Sequence, residues 1–203
     1  MELILDIGSG RSLHNIPRAE TMIAKVANMD SHKHRIVFKA QLFQSAPPNI
    51  PLDHEAFDRL YHYCAALGYP MTASVFDKDS LAYLLRYSIP FVKIANRPDL
   101  YWLIGEVPRK IKVYASVKSF MEWPEWATEA LCCVSKYPAA LEDYYYVNDR
   151  EIKYVSDHTV GWELMRRADP FILEKHLCPE READNPDSGP FACTADELRE
   201  VIA

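Results

Sequence analysis

Short apolar runs rich in β-branched residues alternate with helical patterns along the whole chain. Each run is five to eight residues long and is bounded by turn residues or by an amphipathic segment, as strands that alternate with helices are. The pattern predicts eight strands, at Leu3–Ile7, Ile36–Phe43, Pro70–Phe76, Phe91–Ala95, Ile111–Val117, Ala130–Ser135, Ile152–Asp157 and Phe171–His176.

The segments between the predicted strands carry helix signals of uneven strength. Asp53 is a good N-cap, and Thr194 with Glu197 forms a capping box before the last helix. Segments 99–107, 119–127 and 140–148 are short and aromatic, and they predict single helical turns or loops. Helices are predicted at Arg18–Asn28, Asp53–Leu67, Lys78–Tyr87, Thr159–Ala168 and Thr194–Ile202.

Strict alternation of strand and helix predicts a parallel sheet covered by helices. Eight repeats of roughly 25 residues favour a closed barrel over an open sheet. The predicted fold class is therefore α/β, a compact (β/α)₈ TIM barrel with shortened helices 4–6, formed by residues 1–203 as a single domain.

Composition narrows the range of partners. The 203 residues are 49% hydrophobic and 26% charged, which is ordinary for a globular domain. A net charge of −6 argues against a nucleic-acid partner but is compatible with a small anionic ligand. No apolar run approaches the roughly 18–20 residues of a membrane span, so no membrane partner is expected. Five cysteines without a C-x-x-C motif favour a reducing, cytoplasmic setting.

Polar residues interrupt the predicted strands at their C-terminal ends. In a parallel barrel these ends converge at one rim, where barrel enzymes carry their chemistry. Eight polar strand ends together therefore predict a functional site there. The polar residues are Asp6, Lys39, Gln41, Thr72, Ser74, Lys93, Asn96, Ser116, Ser135, Lys136, and those in segments 156–158 and 174–176.

Strand alternation sorts the last two strands by face. His158 lies on one face with Ser156, and His176 on one face with Glu174, which turns Lys175 toward the helices. If both histidines face the lumen, they could share a divalent ion such as Mn, Fe, Co or Zn. The alternative is that each is a hydrogen-bonded residue of the core or the rim.

Lys39 and Lys93 also have two interpretations. Lysines that flank a buried strand often extend their ammonium groups to the surface. If the two converge, they form a site for phosphate or carboxylate, to which serines at neighbouring strand ends would add donors.

The sequence resembles the sialic acid synthase (N-acetylneuraminate synthase, NeuB-like) family of phosphoenolpyruvate-condensing barrels. The matching motifs follow the family order over nearly the whole chain, and S-D-H-T-x-G followed by E-K-H is the most specific. They are Val155-Ser-Asp-His-Thr-Val-Gly161, Leu173-Glu-Lys-His176, Leu131-Cys-Cys-Val-Ser-Lys-Tyr-Pro138, Phe91-Val-Lys-Ile-Ala95, Val37-Phe-Lys-Ala-Gln41 and Ser74-Val-Phe-Asp77.

The resemblance implies a metal-dependent condensation of phosphoenolpyruvate with an N-acyl sugar aldehyde. The product would be a sialic-acid-like keto acid, and phosphate would be released. By this resemblance His158 and His176 hold a divalent metal (Mn, or Mg, Co or Zn) and, with Asp6, form the catalytic set. The same matches place in the substrate site Lys39, Gln41, Thr72, Ser74, Lys93, Asn96, Ser116, Ser135, Lys136, Ser156 and, from the loop 185–187, Asp187.

The chain departs from the family pattern at several positions. Asp6 replaces a glutamate to which the acid/base step is ascribed, and Asn96 and Lys136 replace a serine and an asparagine. Family members typically carry a C-terminal antifreeze-like domain, which is not found before Ala203. Two alternatives therefore stay open: condensation with a different aldehyde, and a catalytically degenerate barrel that only binds ligands.

An aromatic cluster falls in the region of the shortened helices. Packing in the core or helix layer is one interpretation, and a partner surface on the shortened side of the barrel is the other. A homodimer is a possible oligomeric state. The cluster consists of Trp102, Trp123, Trp126, Tyr144, Tyr145 and Tyr146.

Overall fold

The computed structural model describes residues 1–31, 34–44, 49–119, 122–148, 153–182 and 184–202. Eight parallel strands pair in sequence order, and β8 pairs with β1 to close the barrel. The predicted fold class is confirmed. The strands are β1 (Glu2–Gly8), β2 (Arg35–Leu42), β3 (Met71–Val75), β4 (Phe91–Ile94), β5 (Lys112–Val117), β6 (Glu129–Cys133), β7 (Tyr154–Asp157) and β8 (Ile172–His176). Ile152, where the seventh strand was predicted to begin, lies outside the described residues.

Side-chain alternation divides the barrel into two packed regions. Residues on the outer strand faces join the helices in the main hydrophobic core, as Phe38 and Leu173 do. A smaller apolar layer fills the lumen below the strand ends, and in it Phe91 stacks on Tyr114 with ring centroids 4.1 Å apart. This layer forms a floor beneath the polar strand ends. It consists of Ile4, Val37, Phe91, Tyr114, Leu131 and Ile172.

Local signals explain where most of the helices begin. Asn15 caps α1 by accepting a hydrogen bond from the backbone N–H of Arg18, and the predicted Asp53 cap and Thr194–Glu197 capping box form at α2 and α5. The helices are α1 (Ile16–Met29), α2 (His54–Ala66), α3 (Lys78–Leu84), α4 (Glu163–Ala168) and α5 (Ala195–Ile202).

Helices α2 and α5 differ from their predicted ranges only by cap residues, whereas α3 and α4 are shorter by three and four residues. Helix α3 ends at Leu84, because the N–H groups of Arg86 and Tyr87 bond three residues back in a tightened final turn. Helix α4 begins at Glu163 and not at Thr159. The carboxylate of Asp157 binds the backbone N–H of Thr159, and Gly161 has a φ of +72° that no right-handed helix contains.

The side of the barrel around β4 to β6 has the reduced helices that the sequence predicts. The 3₁₀ helices Pro98–Glu106 and Leu141–Asn148 follow β4 and β6. Together they supply Leu103, Ile104 and Tyr144 to the core. Within the described ranges, no helix has the length and apolar character needed to cross a membrane.

The aromatic cluster predicted in this region splits into two groups. Trp102, Trp123 and Trp126 are about half exposed, whereas Tyr144 is buried. The side chains of Tyr145 and Tyr146 lie outside the described part of the structure. Among the described side chains of this cluster, Tyr144 alone packs in the core.

Phe38→Ala should lower the free energy of unfolding by about 3–5 kcal/mol, because it removes a fully buried ring between the barrel and Tyr69. Phe171→Ala is the matched control, since Phe171 is 62% exposed, and it should cost less than about 1 kcal/mol. Urea unfolding of both variants measures the difference. Equal losses would contradict the assignment of Phe38 to the core.

Candidate active site

A cavity of about 750 Å³ lies at the C-terminal end of the barrel. Its wall contains residues at the ends of all eight strands and in the loops that follow them. The sequence-predicted residues that line it are Asp6, Lys39, Gln41, Ser74, Lys93, Asn96, Ser116, Ser135, Ser156, His158, His176 and Asp187.

Lys39 lies buried in the lumen and is bound on two sides. Its ammonium group donates to Asp6 Oδ2 at 2.6 Å and to Ser74 Oγ at 2.9 Å. Strand register explains both contacts, because Lys39 pairs with Asp6 on β1, and Ser74 lies two residues beyond its partner on β3. Since an ammonium group has three N–H donors, one remains for a ligand.

Lys93 forms the second buried cationic centre. It donates to Ser116 Oγ at 2.7 Å and lies 3.5 Å from Glu174 Oε1. Glu174 also accepts a hydrogen bond of 2.9 Å from Ser156 Oγ. Because β4 and β8 stand on opposite sides of the barrel, the contact between Lys93 and Glu174 crosses the lumen.

Two lysines and two carboxylates therefore balance each other in the lumen. Burial alone would raise the pKa of Asp6, but Lys39 and His176 outweigh it and hold this pKa well below its usual range. Burial likewise opposes ionisation of Glu174, yet Lys39 and Lys93 lower its pKa. Both carboxylates are ionised at neutral pH.

His158 and His176 face each other on the same side of the cavity. Their ring centroids are 5.5 Å apart, and both side chains are almost fully buried. Burial, together with the neighbouring His176, lowers the pKa of His158 to about 3. His158 is therefore a neutral imidazole at pH 7, the form that binds metals.

Each of the two histidines has a ring nitrogen that could bind a metal. His158 Nδ1 lies 2.7 Å from the carbonyl oxygen of Val134, and since a carbonyl can only accept, Nδ1 carries the proton and Nε2 presents a lone pair. His176 Nδ1 is buried and has no hydrogen-bond partner among the described residues. The described residues contain no group of three or more His, Cys, Asp or Glu side chains able to hold a metal. Water or substrate would therefore have to complete the coordination of an ion held by these two imidazoles.

Asp187 is bound inside the protein. Its Oδ2 accepts hydrogen bonds from the backbone N–H and the hydroxyl of Ser9 and from Ser12 Oγ, at 2.8–3.1 Å. Gln41 Nε2 lies 3.4 Å from Asp187 Oδ1 and 3.1 Å from Asp6 Oδ2. A Cβ at Gly8 would lie 2.7 Å from this carboxylate, and Gly8 has a φ of +88°. Asp187 thus ties the loop after β8 to the residues that follow β1 through Oδ2, while Oδ1 has only the longer contact with Gln41.

Two predicted substrate residues lie away from the cavity. Thr72 is buried and gives its hydroxyl to the carbonyl of Phe91, because it sits one inward position below Ser74 on the short strand β3. Lys136 is exposed and forms an ion pair with Asp143. It lies beyond the end of β6, where strand alternation no longer fixes the direction of a side chain.

Several cavity residues are absent from the predicted set. Glu174 could have been included, because it shares a strand face with His176. Tyr137 and Phe191 pack against the histidines, with ring centroids 4.3 Å from His158 and 4.9 Å from His176 respectively. Both come from loops, and no periodic signal in the sequence indicates their position. Arg11 also lines the cavity from a loop.

The structure resembles solved proteins over its whole length. A solved N-acetylneuraminic acid (sialic acid) synthetase from Leptospira borgpetersenii serovar Hardjo-bovis matches 98% of this chain and 80% of its own, with a TM-score of 0.77 and 20% identity. The fold matches the barrel of that synthetase. A spore coat polysaccharide biosynthesis protein from Bacillus subtilis matches 99% of this chain with a TM-score of 0.78 and 21% identity. This chain spans 66% of that protein, just under two thirds.

More distant barrels share the fold at lower similarity. A DAHP synthase from Thermotoga maritima has a TM-score of 0.70 at 10% identity over 99% of this chain. No protein-family model and no curated protein sequence matches the chain. At these identities, the structural matches establish the (β/α)₈ barrel fold, and chemistry must be argued from the cavity itself.

The low pKa of His158 predicts a specific loss of stability in acid. Between pH 6.5 and about 3 the unfolded chain protonates this histidine while the folded chain does not, so stability falls as pH falls. One such group contributes at most about 1.4 kcal/mol per pH unit. Urea unfolding at several pH values should therefore give a shallower acid loss for His158→Gln than for the wild type. The control His62→Gln, at an exposed histidine of α2, should keep the wild-type slope.

Proposed function

We propose that the protein condenses phosphoenolpyruvate and water with an N-acyl sugar aldehyde: C3 of phosphoenolpyruvate bonds to the aldehyde carbon, water adds at C2, and phosphate leaves to give a sialic-acid-like keto acid. The observation that carries the proposal is the convergence of Lys39, Lys93, His158 and His176 on one cavity. These four residues lie in motifs that resemble those of the sialic acid synthases, and a solved protein of that name shares the fold.

In this proposal the two lysines bind the anionic substrate. Each ammonium group is buried and partly hydrogen-bonded, and each lies beside a serine that can donate to phosphate or carboxylate oxygens. Asn96 and Ser135 extend the polar wall toward the rim, where Asn96 Nδ2 donates to Ser135 Oγ at 3.1 Å. The apolar floor below the lysines closes the barrel. A small, highly charged acid fits such a pocket.

The two histidines are proposed to hold a divalent metal beside this acid. Bound there, the ion would act as a Lewis acid on the aldehyde oxygen. The residues of the chain orient the partners: Val134 fixes the imidazole of His158, and the rings of Tyr137 and Phe191 shield both histidines. Burial of the imidazoles keeps His158 unprotonated for this role.

Asp6 is the candidate for the proton-transfer step. It lies between Lys39 and His176, with Oδ2 at 2.6 Å and 3.8 Å from their side-chain nitrogens. While Lys39 pairs with it, Asp6 is a weak base. An anionic substrate that takes up the charge of Lys39 would raise the pKa of Asp6, so that the carboxylate could accept a proton when the substrates are bound.

Phosphate release in the presence of Mn²⁺, phosphoenolpyruvate and a panel of N-acyl hexosamines and phosphorylated sugars tests the proposed reaction. Release with an N-acyl hexosamine is the expected result. If phosphate is released only with another aldehyde, the proposed N-acyl sugar acceptor is wrong. If phosphoenolpyruvate binds but no aldehyde supports turnover, the proposed reaction is contradicted. His158→Ala should reduce the rate to background.

Lys93→Met should weaken phosphoenolpyruvate binding about tenfold to a hundredfold, because a charge-assisted hydrogen bond contributes about 1.5–3 kcal/mol. Calorimetric titration of the metal-free protein measures this affinity. Lys136→Met removes an exposed lysine that does not line the cavity and should bind like the wild type. If both variants bind equally well, Lys93 is not part of the anion site.

A further inference from the structure

We propose that the buried ion pair between Asp157 and Lys175 is a positioning device that holds the imidazoles of His158 and His176 together. This proposal rests on the proposed function in one respect only, that the two histidines bind the same ion. Neither Asp157 nor Lys175 lines the cavity, so any effect on the site must act through the histidines.

Register places the ion pair directly behind the histidines. Asp157 and Lys175 are directly paired across β7 and β8, and each precedes a histidine by one residue. Since strand side chains alternate, the ion pair faces the helices while the imidazoles face the lumen. Lys175 Nζ lies 2.9 Å from Asp157 Oδ2. This contact joins the last registered pair of the two strands.

The ion pair also fixes the backbone on both sides of His158. Asp157 Oδ1 accepts hydrogen bonds from the backbone N–H of Thr159 at 2.7 Å and from its hydroxyl at 2.8 Å. Lys175 Nζ donates to the carbonyl of Thr159 at 2.6 Å. His158 is therefore the central residue of a turn that is closed by the carboxylate and held to β8 by the ammonium group.

A gain in stability is a weak explanation for the burial of this ion pair. Both side chains are at most 1% exposed, and the ammonium group of Lys175 lies 5.6 Å from the ring centroid of Trp162. Burying two charges costs desolvation energy that an apolar pair of similar volume avoids, often with no loss of stability. The ion pair lies one residue before each imidazole. From there its hydrogen bonds can hold the backbone of both histidines in place, which an apolar pair could not do.

The test is the double variant Asp157→Asn with Lys175→Met, which leaves no unpaired buried charge and retains an oxygen to accept from Thr159. The matched control is Glu2→Gln with Arg35→Met, which removes a directly registered cross-strand ion pair of 2.6 Å at the other end of the barrel. Titration of each protein with Co²⁺, followed by visible absorption, measures metal affinity, and circular dichroism with thermal unfolding establishes the fold.

The double variant should fold and bind Co²⁺ about tenfold to a hundredfold more weakly, the range for loss of groups that orient metal ligands. The control should bind like the wild type even where it unfolds at a lower temperature. Affinity within about twofold of the wild type in a folded Asp157→Asn, Lys175→Met protein would overturn the inference. A wild type that binds no Co²⁺ would contradict the proposed metal site instead.

Nitrogen-15 NMR of the imidazoles in the metal-free wild type gives a second measurement that needs no variant. A positioned pair should give one sharp set of ring signals, with His158 protonated at Nδ1 as its bond to Val134 requires. Rings that exchange between tautomers or conformers would overturn the inference even if the double variant does not fold. In a folded double variant, the same signals should broaden or shift, and in the control they should not.

Discussion

An ionisable side chain in the closed lumen must find its counter-charge on another strand, and this constraint organises the site. The lumen is floored by apolar side chains and its ionisable side chains are buried, so an unpaired charge there would cost several kcal/mol. Asp6 on β1 forms an ion pair with Lys39 on β2, and Glu174 forms one with Lys93 across the barrel. The positions of these four groups are therefore set jointly, by strand register and charge balance together.

This balance affects what the cavity can bind. Because Asp6 and Glu174 already lie beside the two lysines, an incoming anion would have to share the lysine donors with these carboxylates. Such sharing would weaken the hold of Lys39 on Asp6 and would raise the proton affinity of the carboxylate. A shorter acidic side chain at position 6 is compatible with such a role, since its Oδ2 reaches both Lys39 and His176 from the end of β1.

The sequence predicts the features that depend on periodicity. Alternation groups His158 with Ser156 on one face and turns Lys175 toward the helices, as the structure has them, because the twofold period holds along β7 and β8. It fails where the strand ends: Lys136 lies past β6 and points to solvent. The bonds of Asp187 with Ser9 join residues at opposite ends of the chain, and no local pattern encodes such a contact. Only the folded barrel brings these loops together.

The two halves of the site rest on different parts of the barrel. The histidines follow β7 and β8, whereas the lysines lie on β2 and β4, and β3 and β4 share a single registered pair, Ser74 with Lys93. Glu174 links the halves, because it lies two residues before His176 on β8 and contacts Lys93 on the opposite side of the lumen. An anion bound to Lys93 would therefore act on the strand that carries His176. The proposed anion site and the proposed histidine site share one buried carboxylate, Glu174, as a common neighbour.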